Sequence, residues 1–325
     1  AQTLDQVLAN DPTNDRAGLL KGDLLWQGKK DAEGALAVFT KVLASHPGSV
    51  GAHTSSIAIL QELKKPDEAK ALFEKLKKAA PNHPDTIFMD AQFAFQAKDY
   101  KAAREITDRL LKAAPDHVRI LELAGATEYR LKNYLQAEAY LARALKNAPG
   151  LVLARQLLGQ TYLRAGQPLK TIEVLQPLVE AKQPDGTSLS LVGEAWLQIG
   201  DSKKSEAAFK RATEAAPGDP RVRTSAAMAQ MARGNNALAI PELEAIANED
   251  KGPRADLALI SARLRQNDAD GALKAIEGLA KKMPESPLPH NLRGRVLLLK
   301  RDIPAASKSF EASLAKEANY FPSIA

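Results

Sequence analysis

The histidines are the side chains of this 325-residue chain with the clearest capacity for catalysis or metal binding. Five are present, His46, His53, His83, His117 and His290, and no two form the His-x-x-x-His pair that puts two ligands on one helix face. His83 and His117 lie 34 residues apart in turn-like segments, which favours a structural role. The absence of cysteine excludes thiolate metal sites and cysteine nucleophiles. We therefore predict no cofactor, no metal site and no catalytic residue.

Motifs for phosphate binding and acyl transfer are also missing from the sequence. Residues 22–30 are reminiscent of a phosphate-binding loop, but five residues separate the glycines instead of four, and Lys30 stands where Ser or Thr is required. Neither Gly-x-Gly-x-x-Gly nor Gly-x-Ser-x-Gly occurs. Glu242 and Glu244 are two residues apart on a predicted helix and do not face each other. We predict that the chain is not an enzyme.

Lysine pairs along the chain are candidates for binding nucleic acid. The pairs lie at 29–30, 64–65, 77–78, 203–204 and 281–282, mostly in turns or at helix ends, where cations oppose the negative end of the helix dipole. The net charge is only +6, and single-strand binders interleave basic residues with aromatic side chains that stack on bases. With eight Phe, six Tyr and two Trp, few aromatics are available for that purpose. A solvated role for these lysines is favoured.

The chain that carries these residues repeats itself with a period of 34. A small column recurs at Ala35, Ala69, Ala103, Ala137, Thr171, Ser205, Ala239, Ala272 and Ala306, with a single 33-residue step. A bulky column follows four residues later, at Phe39, Phe73, Thr107, Leu141, Leu175, Phe209, Leu243, Ile276 and Phe310. A glycine column precedes the small column by 12 or 13 residues, at Gly22, Ile57, Ala91, Gly125, Gly159, Gly193, Ala227, Ile260 and Gly294.

Each unit of this period is predicted to be a hairpin of two helices. Short polar breaks separate the glycine column from the small column, and small residues at both columns allow two helix backbones to approach to about 8–10 Å. The bulky column then fills the space between neighbouring hairpins. Prolines at 47, 81, 115, 149, 184, 217 and 284 end the second helix of most units. One residue is gained near positions 28–33.

The period and its columns resemble the tetratricopeptide repeat, and the run of Leu158, Gly159, Gln160, Thr161 and Tyr162 matches its first helix best. The resemblance implies an all-α, right-handed α-solenoid. Nine repeats would occupy residues 13–318, residues 1–12 would be the second helix of a truncated preceding repeat, and residues 319–325 would start a further one. We expect the chain to be a piece of a longer array.

The resemblance also implies a concave groove, lined by the first helices, that holds a protein or peptide partner. By analogy, groove-facing positions lie three and one residues before the glycine column and one, four and five after it. In the central units they include Phe88, Gln92, Gln96, Glu122, Tyr129, Arg130, Gln156, Gln160, Arg164, Ser190, Glu194 and Gln198, and Arg265, Asn291 and Arg295 extend the stripe. Gln and Arg can bind a peptide backbone and its carboxylates, although each residue alone also fits a solvated surface position. The Lys/Asn/Lys/Arg carboxylate clamp of chaperone-binding relatives is absent.

A narrower resemblance concerns the cellular role. The alanine-rich array, the lack of cysteine and the ending Asn319, Tyr320, Phe321 and Pro322 resemble bacterial tetratricopeptide lipoproteins of PEP-CTERM/exosortase sorting and exopolysaccharide export systems. This resemblance implies a periplasmic array anchored by a missing N-terminal lipoprotein signal. A cytoplasmic regulator, or the repeat arm of a glycosyltransferase, fits the same residues. No apolar run approaches the roughly 20 residues that span a bilayer. The sequence leaves the partner and the oligomeric state open.

Overall fold

The computed structural model describes residues 2–324, and the side chains of residues 3–323. Within this range the regular structure is entirely helical, without strands, which confirms the all-α class of helical repeats. The chain divides into two compact units, residues 1–154 and 155–325. None of the described helices is long and apolar enough to cross a membrane. The nine-repeat division of residues 13–318 stays a prediction.

The helices are short and of similar length. The first unit contains α1 Gln2–Asn10, α2 Asp15–Asp23, α3 Ala32–Ser45, α4 Val50–Glu62, α5 Pro66–Ala79, α6 Pro84–Gln96, α7 Tyr100–Ala113, α8 Val118–Arg130 and α9 Tyr134–Asn147. Helix α10, Val152–Arg164, includes the residue at which the units divide. The second unit contains α11 Pro168–Val179, α12 Gly186–Ile199, α13 Ser202–Ala215, α14 Pro220–Ala232, α15 Asn236–Glu249, α16 Arg254–Arg265, α17 Ala269–Lys282, α18 Leu288–Leu299, α19 Ile303–Lys316 and α20 Phe321–Ile324.

Consecutive helices pack as antiparallel hairpins, each made of a first helix with the glycine column and a second helix with the small and bulky columns. In the first unit the pairs are α2 with α3, α4 with α5, α6 with α7 and α8 with α9; in the second they are α12 with α13, α14 with α15, α16 with α17 and α18 with α19. Second helices end where the sequence predicts. For example, α7 ends at Ala113 and Ala114, the residue before Pro115, is non-helical, because proline disfavours helix in the residue before it.

The bulky column forms the core of the hairpins. Phe39, Leu141, Leu175, Leu243 and Ile276 are among the largest fully buried side chains. Phe39, Leu141 and Leu175 lie over the glycines of their own hairpins, a contact that the column spacing did not predict: a Cβ placed on Gly125 would lie 2.6 Å from Leu141 Cγ. The predicted contact with the next hairpin also occurs.

That contact is clearest at the α5–α6 junction, where the rings of Phe73 and Phe93 stack with centroids 4.5 Å apart.

Thr107 is the polar exception in the bulky column, and its buried hydroxyl donates to the carbonyl of Ala103, 3.0 Å away in the same helix. The hydroxyl of Ser205, in the small column, donates in the same way to Gly193 O at 2.9 Å across the hairpin. The hydroxyls of Thr107 and Ser205 are therefore both satisfied by a helix carbonyl.

The turn inside each hairpin places one residue in the left-handed region. These residues are Lys30, Lys64, Lys98, Lys132, Gly166, Gly200, Gly234, Asn267 and Arg301, with φ between 57° and 91°. The next N–H then bonds the carbonyl five residues back, as from Lys65 to Leu60 at 2.9 Å, which closes the first helix with a Schellman motif. Because four of these positions carry lysine, a search of the sequence for glycine does not find the motif there.

The residue predicted to be gained near positions 28–33 is accommodated slightly earlier. Helix α2 continues into a π-helical segment, Leu24–Gly28, which takes one more residue per turn than an α-helix. Its turn is correspondingly longer, since Asp31 N–H bonds Leu25 O six residues back at 2.9 Å. The insertion is thus absorbed in the helix, and α3 keeps the register of the other second helices.

We expect the substitution Ala137→Leu to lower the free energy of unfolding by about 1–3 kcal/mol, because Ala137 is fully buried where α9 meets its hairpin partner and a larger side chain overpacks the site. Chemical denaturation followed by circular dichroism measures the change. Ala142→Leu, at an exposed position of the same helix, is the matched control. Equal stability of the two variants would mean that the small column does not mark a tight crossing.

Substitutions at two of the left-handed turn positions should change the free energy of unfolding in opposite directions. Gly200→Ala introduces a Cβ at φ 91° and should lower the free energy of unfolding by roughly 1 kcal/mol, whereas Lys132→Gly removes one at φ 64° and should raise it. Both residues are exposed, so packing changes little. Thermal melts of the two variants beside the parent chain test the pair, and a shift of the same sign in both would contradict the explanation.

Candidate peptide-binding cleft between helices α16 and α18

The second unit contains an apolar cleft between α16 and α18, the first helices of two consecutive hairpins. Its volume is about 610 Å³. The residues that line it are Leu257, Ile260, Ser261, Leu264 and Arg265 on α16 and Leu292, Arg295, Val296, Leu298 and Leu299 on α18. We refer to it as the α16–α18 cleft. Leucine, isoleucine and valine side chains thus form most of its surface, and two arginines are its charged groups.

Several of these leucines are unusually accessible to solvent. Leu257, Leu298 and Leu299 are 37%, 44% and 70% exposed. Isolated exposed leucines are common on proteins, but several on the walls of one concave site form a patch of the kind that binds another molecule. Because burying apolar surface is favourable, an apolar ligand would bind here by excluding water from these side chains.

Arg265 and Arg295 are exposed, and neither guanidinium forms an ion pair within residues 2–324. The neighbouring Arg263 behaves differently: Glu244 accepts a hydrogen bond from it, Asp268 Oδ2 lies 3.0 Å from its Nη1, and the Glu244 carboxylate raises the pKa of this arginine. A guanidinium can bind a carboxylate through two parallel hydrogen bonds. The two cleft arginines are therefore free to bind an acidic group of a ligand.

A polar network fixes the N-terminal end of α16 against the preceding first helices. Ser225 Oγ in α14 donates to Glu194 Oε1 in α12 at 3.0 Å, and Arg254 Nη2 in α16 donates to Ser225 Oγ at 2.8 Å. Arg254 also lies 3.8 Å from Glu194. Glu194, a predicted groove residue, therefore joins three first helices.

Asn291 was predicted to face the groove, and the structure corrects this. Its side chain is buried, and its Nδ2 donates to Pro322 O at 2.7 Å and to Ser323 Oγ at 3.0 Å. Asn291 thus holds the short α20 against α18. The periodicity could not reveal this role, because the contact is made by a segment that follows the last complete hairpin.

The other predicted residues of the second unit lie in different environments. Gln156 Nε2 donates to Asp185 Oδ2 at 2.7 Å, and Asp185 caps the N-terminus of α12, so this glutamine supports a helix cap. Ser190 is 5% exposed, which corrects its assignment to an accessible surface. Gln160 is half-buried, and Arg164 and Gln198 are exposed. A role in ligand binding stays a prediction for these last three.

In the first unit, Phe88 is a core residue. It is 8% exposed, packs with Leu110 and Ile120, and its ring centroid lies 4.8 Å from the Arg119 guanidinium. Its assignment to the groove is therefore corrected, since an aromatic ring at this position fills the space between hairpins. The remaining predicted residues are accessible to different degrees: Gln92, Glu122 and Tyr129 are half-buried, and Gln96 and Arg130 are exposed. Their contact with a ligand stays a prediction.

The cleft leucines were missed although the sequence contained the signal. Leu257 lies three residues before the glycine column, Leu264 and Leu298 lie four after it, and Leu299 lies five after it. These are groove-facing positions by the same register that selected the glutamines and arginines. The prediction selected polar and aromatic residues from that register and left out its leucines, so it did not include an aliphatic binding surface.

The described residues contain no cluster of three or more His, Asp or Glu side chains that could hold a metal ion. The chemistry available in the α16–α18 cleft is thus apolar burial combined with ionic hydrogen bonding. These are binding interactions, and they suit a segment that carries both apolar and acidic side chains.

Comparison with solved structures shows the fold that this chain shares with known proteins. A tetratricopeptide repeat protein from Parabacteroides merdae is 16% identical, with a TM-score of 0.52 over 70% of this chain and 90% of the other. The APC/C hetero-tetramer Cut9–Hcn1 is 13% identical, with a TM-score of 0.54 over 96% of this chain and 62% of the other. A human IFIT1 dimer with m7Gppp-AAAA is 12% identical, with a TM-score of 0.55 over 94% of this chain and 78% of the other. No curated protein sequence matches the chain significantly.

Family models match most of the sequence. One tetratricopeptide repeat model matches residues 1–50, 157–220, 224–287 and 257–321, which is more than half of the chain, and another matches residues 27–86. The model of anaphase-promoting complex, cyclosome, subunit 3 matches residues 62–144. These matches cover the hairpins whose packing is described above, and repeats of this kind provide surfaces for protein interaction. The chain belongs to the tetratricopeptide repeat family.

Proposed function

We propose that this chain is a non-catalytic scaffold that binds an apolar, acidic segment of a partner protein in the α16–α18 cleft. The observation that carries the proposal is the combination of accessible leucines with Arg265 and Arg295, which have no ion-pair partner within the described residues. Such a surface favours a ligand that supplies apolar side chains to the walls and a carboxylate to the rim.

The dimensions of the cleft support a short peptide segment as the ligand. From Leu257 to Arg265 the wall extends over eight residue steps of α16, or about 12 Å at 1.5 Å per residue. That length accommodates two or three apolar anchors and one or two acidic residues. The partner would bind through a few buried side chains, with the arginines determining its orientation and its charge.

Similar proteins support the scaffold role in general terms. Cut9–Hcn1 is a hetero-tetramer of the APC/C, so helical repeats of this fold are part of a multiprotein assembly there. The solenoid architecture exposes long helical surfaces, which suits simultaneous contact with more than one partner. We infer that this chain likewise organises a protein complex.

Nucleic acid is the competing ligand, because human IFIT1 with m7Gppp-AAAA has a similar fold. Unpaired arginines would also attract phosphate groups. However, the lining of the α16–α18 cleft contains leucine, isoleucine, valine, serine and arginine, with no aromatic ring on which a base could stack. The walls therefore favour a protein segment over a single-stranded nucleic acid.

We further propose that the complex belongs to a bacterial cell envelope, in PEP-CTERM/exosortase sorting or exopolysaccharide export. The support for this role is the resemblance of the alanine-rich array and of the ending at residues 319–322 to the lipoproteins of those systems. The scaffold proposal does not depend on it.

The cleft is tested by the double substitution Arg265→Glu with Arg295→Glu. A photo-crosslinking amino acid at position 299 first captures the partner segment from extracts of the source organism, with position 308 as a control outside the cleft. We then expect the double variant to weaken binding of the captured segment at least about tenfold, since hydrogen bonds to charged groups each contribute about 1.5–3 kcal/mol.

The matched control is Lys281→Glu with Lys308→Glu, which makes the same change in net charge at two exposed positions that do not line the cleft. Isothermal titration calorimetry compares the variants, and circular dichroism verifies their folding. Equal affinity of the two double variants would exclude the cleft as the binding site. Capture of RNA at position 299, with an affinity that falls steeply with salt, would favour the competing ligand.

The envelope role predicts that the full-length gene product carries a lipid-modified cysteine upstream of this segment and fractionates with membranes. Metabolic labelling with a clickable fatty acid, followed by fractionation of the native host, measures both properties. A full-length product that is unlabelled and fractionates with the cytoplasm would refute this role without affecting the scaffold proposal.

A further inference from the structure

The first unit contains a second apolar depression, between α3 and α5, the second helices of consecutive hairpins. Its volume is about 880 Å³, and α4 forms its floor. The lining residues are Leu36, Thr40, Leu43, Ala44 and Pro47 from α3 and the residues after it, His53, Ser56 and Leu60 from α4, and Glu68, Ala71, Leu72, Lys75, Lys78 and Ala79 from α5. We call it the α3–α5 groove. It lies on second helices, whereas the α16–α18 cleft lies on first helices.

The walls of the groove have the spacing of a surface that accepts a helix. Lining residues recur every three or four positions along both α3 and α5, singly or as adjacent pairs, so each helix contributes a single face. From position 68 to position 79 on α5 the wall is about 16 Å long, or about three helical turns. Exposed Ala44, Ala71 and Ala79 have short side chains, which lets an incoming helix approach closely.

The floor contains two buried polar groups that lack a partner. His53 is 3% exposed and Ser56 is 1% exposed. His53 Nε2 lies 2.9 Å from Pro47 O, to which it donates, so its Nδ1 is an acceptor. Neither His53 Nδ1 nor Ser56 Oγ forms a hydrogen bond within the part of the chain that the structure describes. Unsatisfied buried polar groups are unfavourable, so a bound molecule that supplies hydrogen bonds here gains affinity.

Two later hairpins have a polar group at the same repeat position and satisfy it with their own side chains. The position of His53 corresponds to Arg223 in α14 and to Asp256 in α16. Arg223 Nε donates to Glu242 Oε1 at 2.7 Å, and Asp256 Oδ2 accepts from Lys282 Nζ at 2.5 Å. Both partners come from the second helix of the same hairpin. In the α3–α5 groove the second helices leave His53 Nδ1 without such a partner.

The rim of the groove carries positive charge. Glu68 is paired with Lys65, at 3.1 Å between Nζ and Oε1. Lys75 and Lys78 are exposed and form no ion pair within residues 2–324. The charge that remains at the rim is therefore that of two lysines on one face of α5, which complements acidic side chains spaced three or four residues apart on a ligand helix.

We propose that the α3–α5 groove binds an amphipathic, acidic helix of a partner protein. The helix is about three turns long, buries an apolar stripe against α3 and α5, and presents Asp or Glu to Lys75 and Lys78. Its central residue is a tyrosine whose hydroxyl donates to His53 Nδ1 and accepts from Ser56 Oγ, because a phenol combines an apolar ring with one donor and acceptor group. This site is separate from the proposed function of the α16–α18 cleft.

The probe for this site is a display library of 16-residue peptides selected against the whole chain. We expect the enriched peptides to carry net negative charge, apolar residues at intervals of three and four, and a central tyrosine. Fluorescence anisotropy then measures the binding of one enriched peptide. Ala71→Trp, which fills the groove from an exposed position, should weaken binding at least tenfold, and Lys75→Glu with Lys78→Glu should do the same.

The control Lys41→Glu with Lys70→Glu makes the same charge change at exposed residues of α3 and α5 that do not line the groove, and binding should stay within twofold of the parent. A peptide with phenylalanine in place of its tyrosine should bind at least threefold more weakly. All variants should keep the parent's melting temperature. Binding to the α16–α18 cleft should be unchanged by Ala71→Trp, so failure at one site is distinguishable from failure at the other.

Several results would overturn the proposal. They are the absence of any enriched peptide, enrichment of basic peptides, equal binding to the parent chain and Ala71→Trp, or equal binding of the tyrosine and phenylalanine peptides. Sedimentation analysis tests whether a second copy of the chain occupies the groove instead. A concentration-dependent dimer that Ala71→Trp abolishes would assign the groove to that second copy.

Discussion

The close approach of the two helices within each hairpin is the constraint on which the rest of the structure depends. Gly125 leaves no room for a Cβ because Leu141 occupies that space, and Gly193 and Phe209 form the same pair in a later hairpin. This contact fixes the separation and register of the two helices. It also positions the bulky side chain to meet the next hairpin, so one local contact determines how neighbouring repeats stack.

Stacking of this kind separates the binding surfaces from the core. Hairpins contact only their neighbours, so the chemistry of each opening between helices is determined by the few residues that line it. Where long charged side chains cross between helices, as Arg223 does to Glu242, the opening is filled by the protein's own ion pair. Where leucine and alanine line the walls, the opening stays apolar and available.

The α16–α18 cleft and the α3–α5 groove share this chemistry on helices of different type. Each combines apolar walls with two cations that have no ion-pair partner in the described chain, Arg265 and Arg295 in the cleft and Lys75 and Lys78 in the groove. Such surfaces bind by excluding water from apolar side chains and select their ligand by charge. They support a function in assembling proteins.

The sequence by itself determined the helical class, the 34-residue period and the core columns, because a helix pair that repeats must place the same residue types at the same crossings. It also selected Arg265 and Arg295, which line the α16–α18 cleft. Only the tertiary structure decided which side chains stay accessible. Phe88 is buried by neighbouring helices, and Asn291 is bound to α20. Burial depends on atoms brought together from different helices, and a periodic pattern records each position without those neighbours.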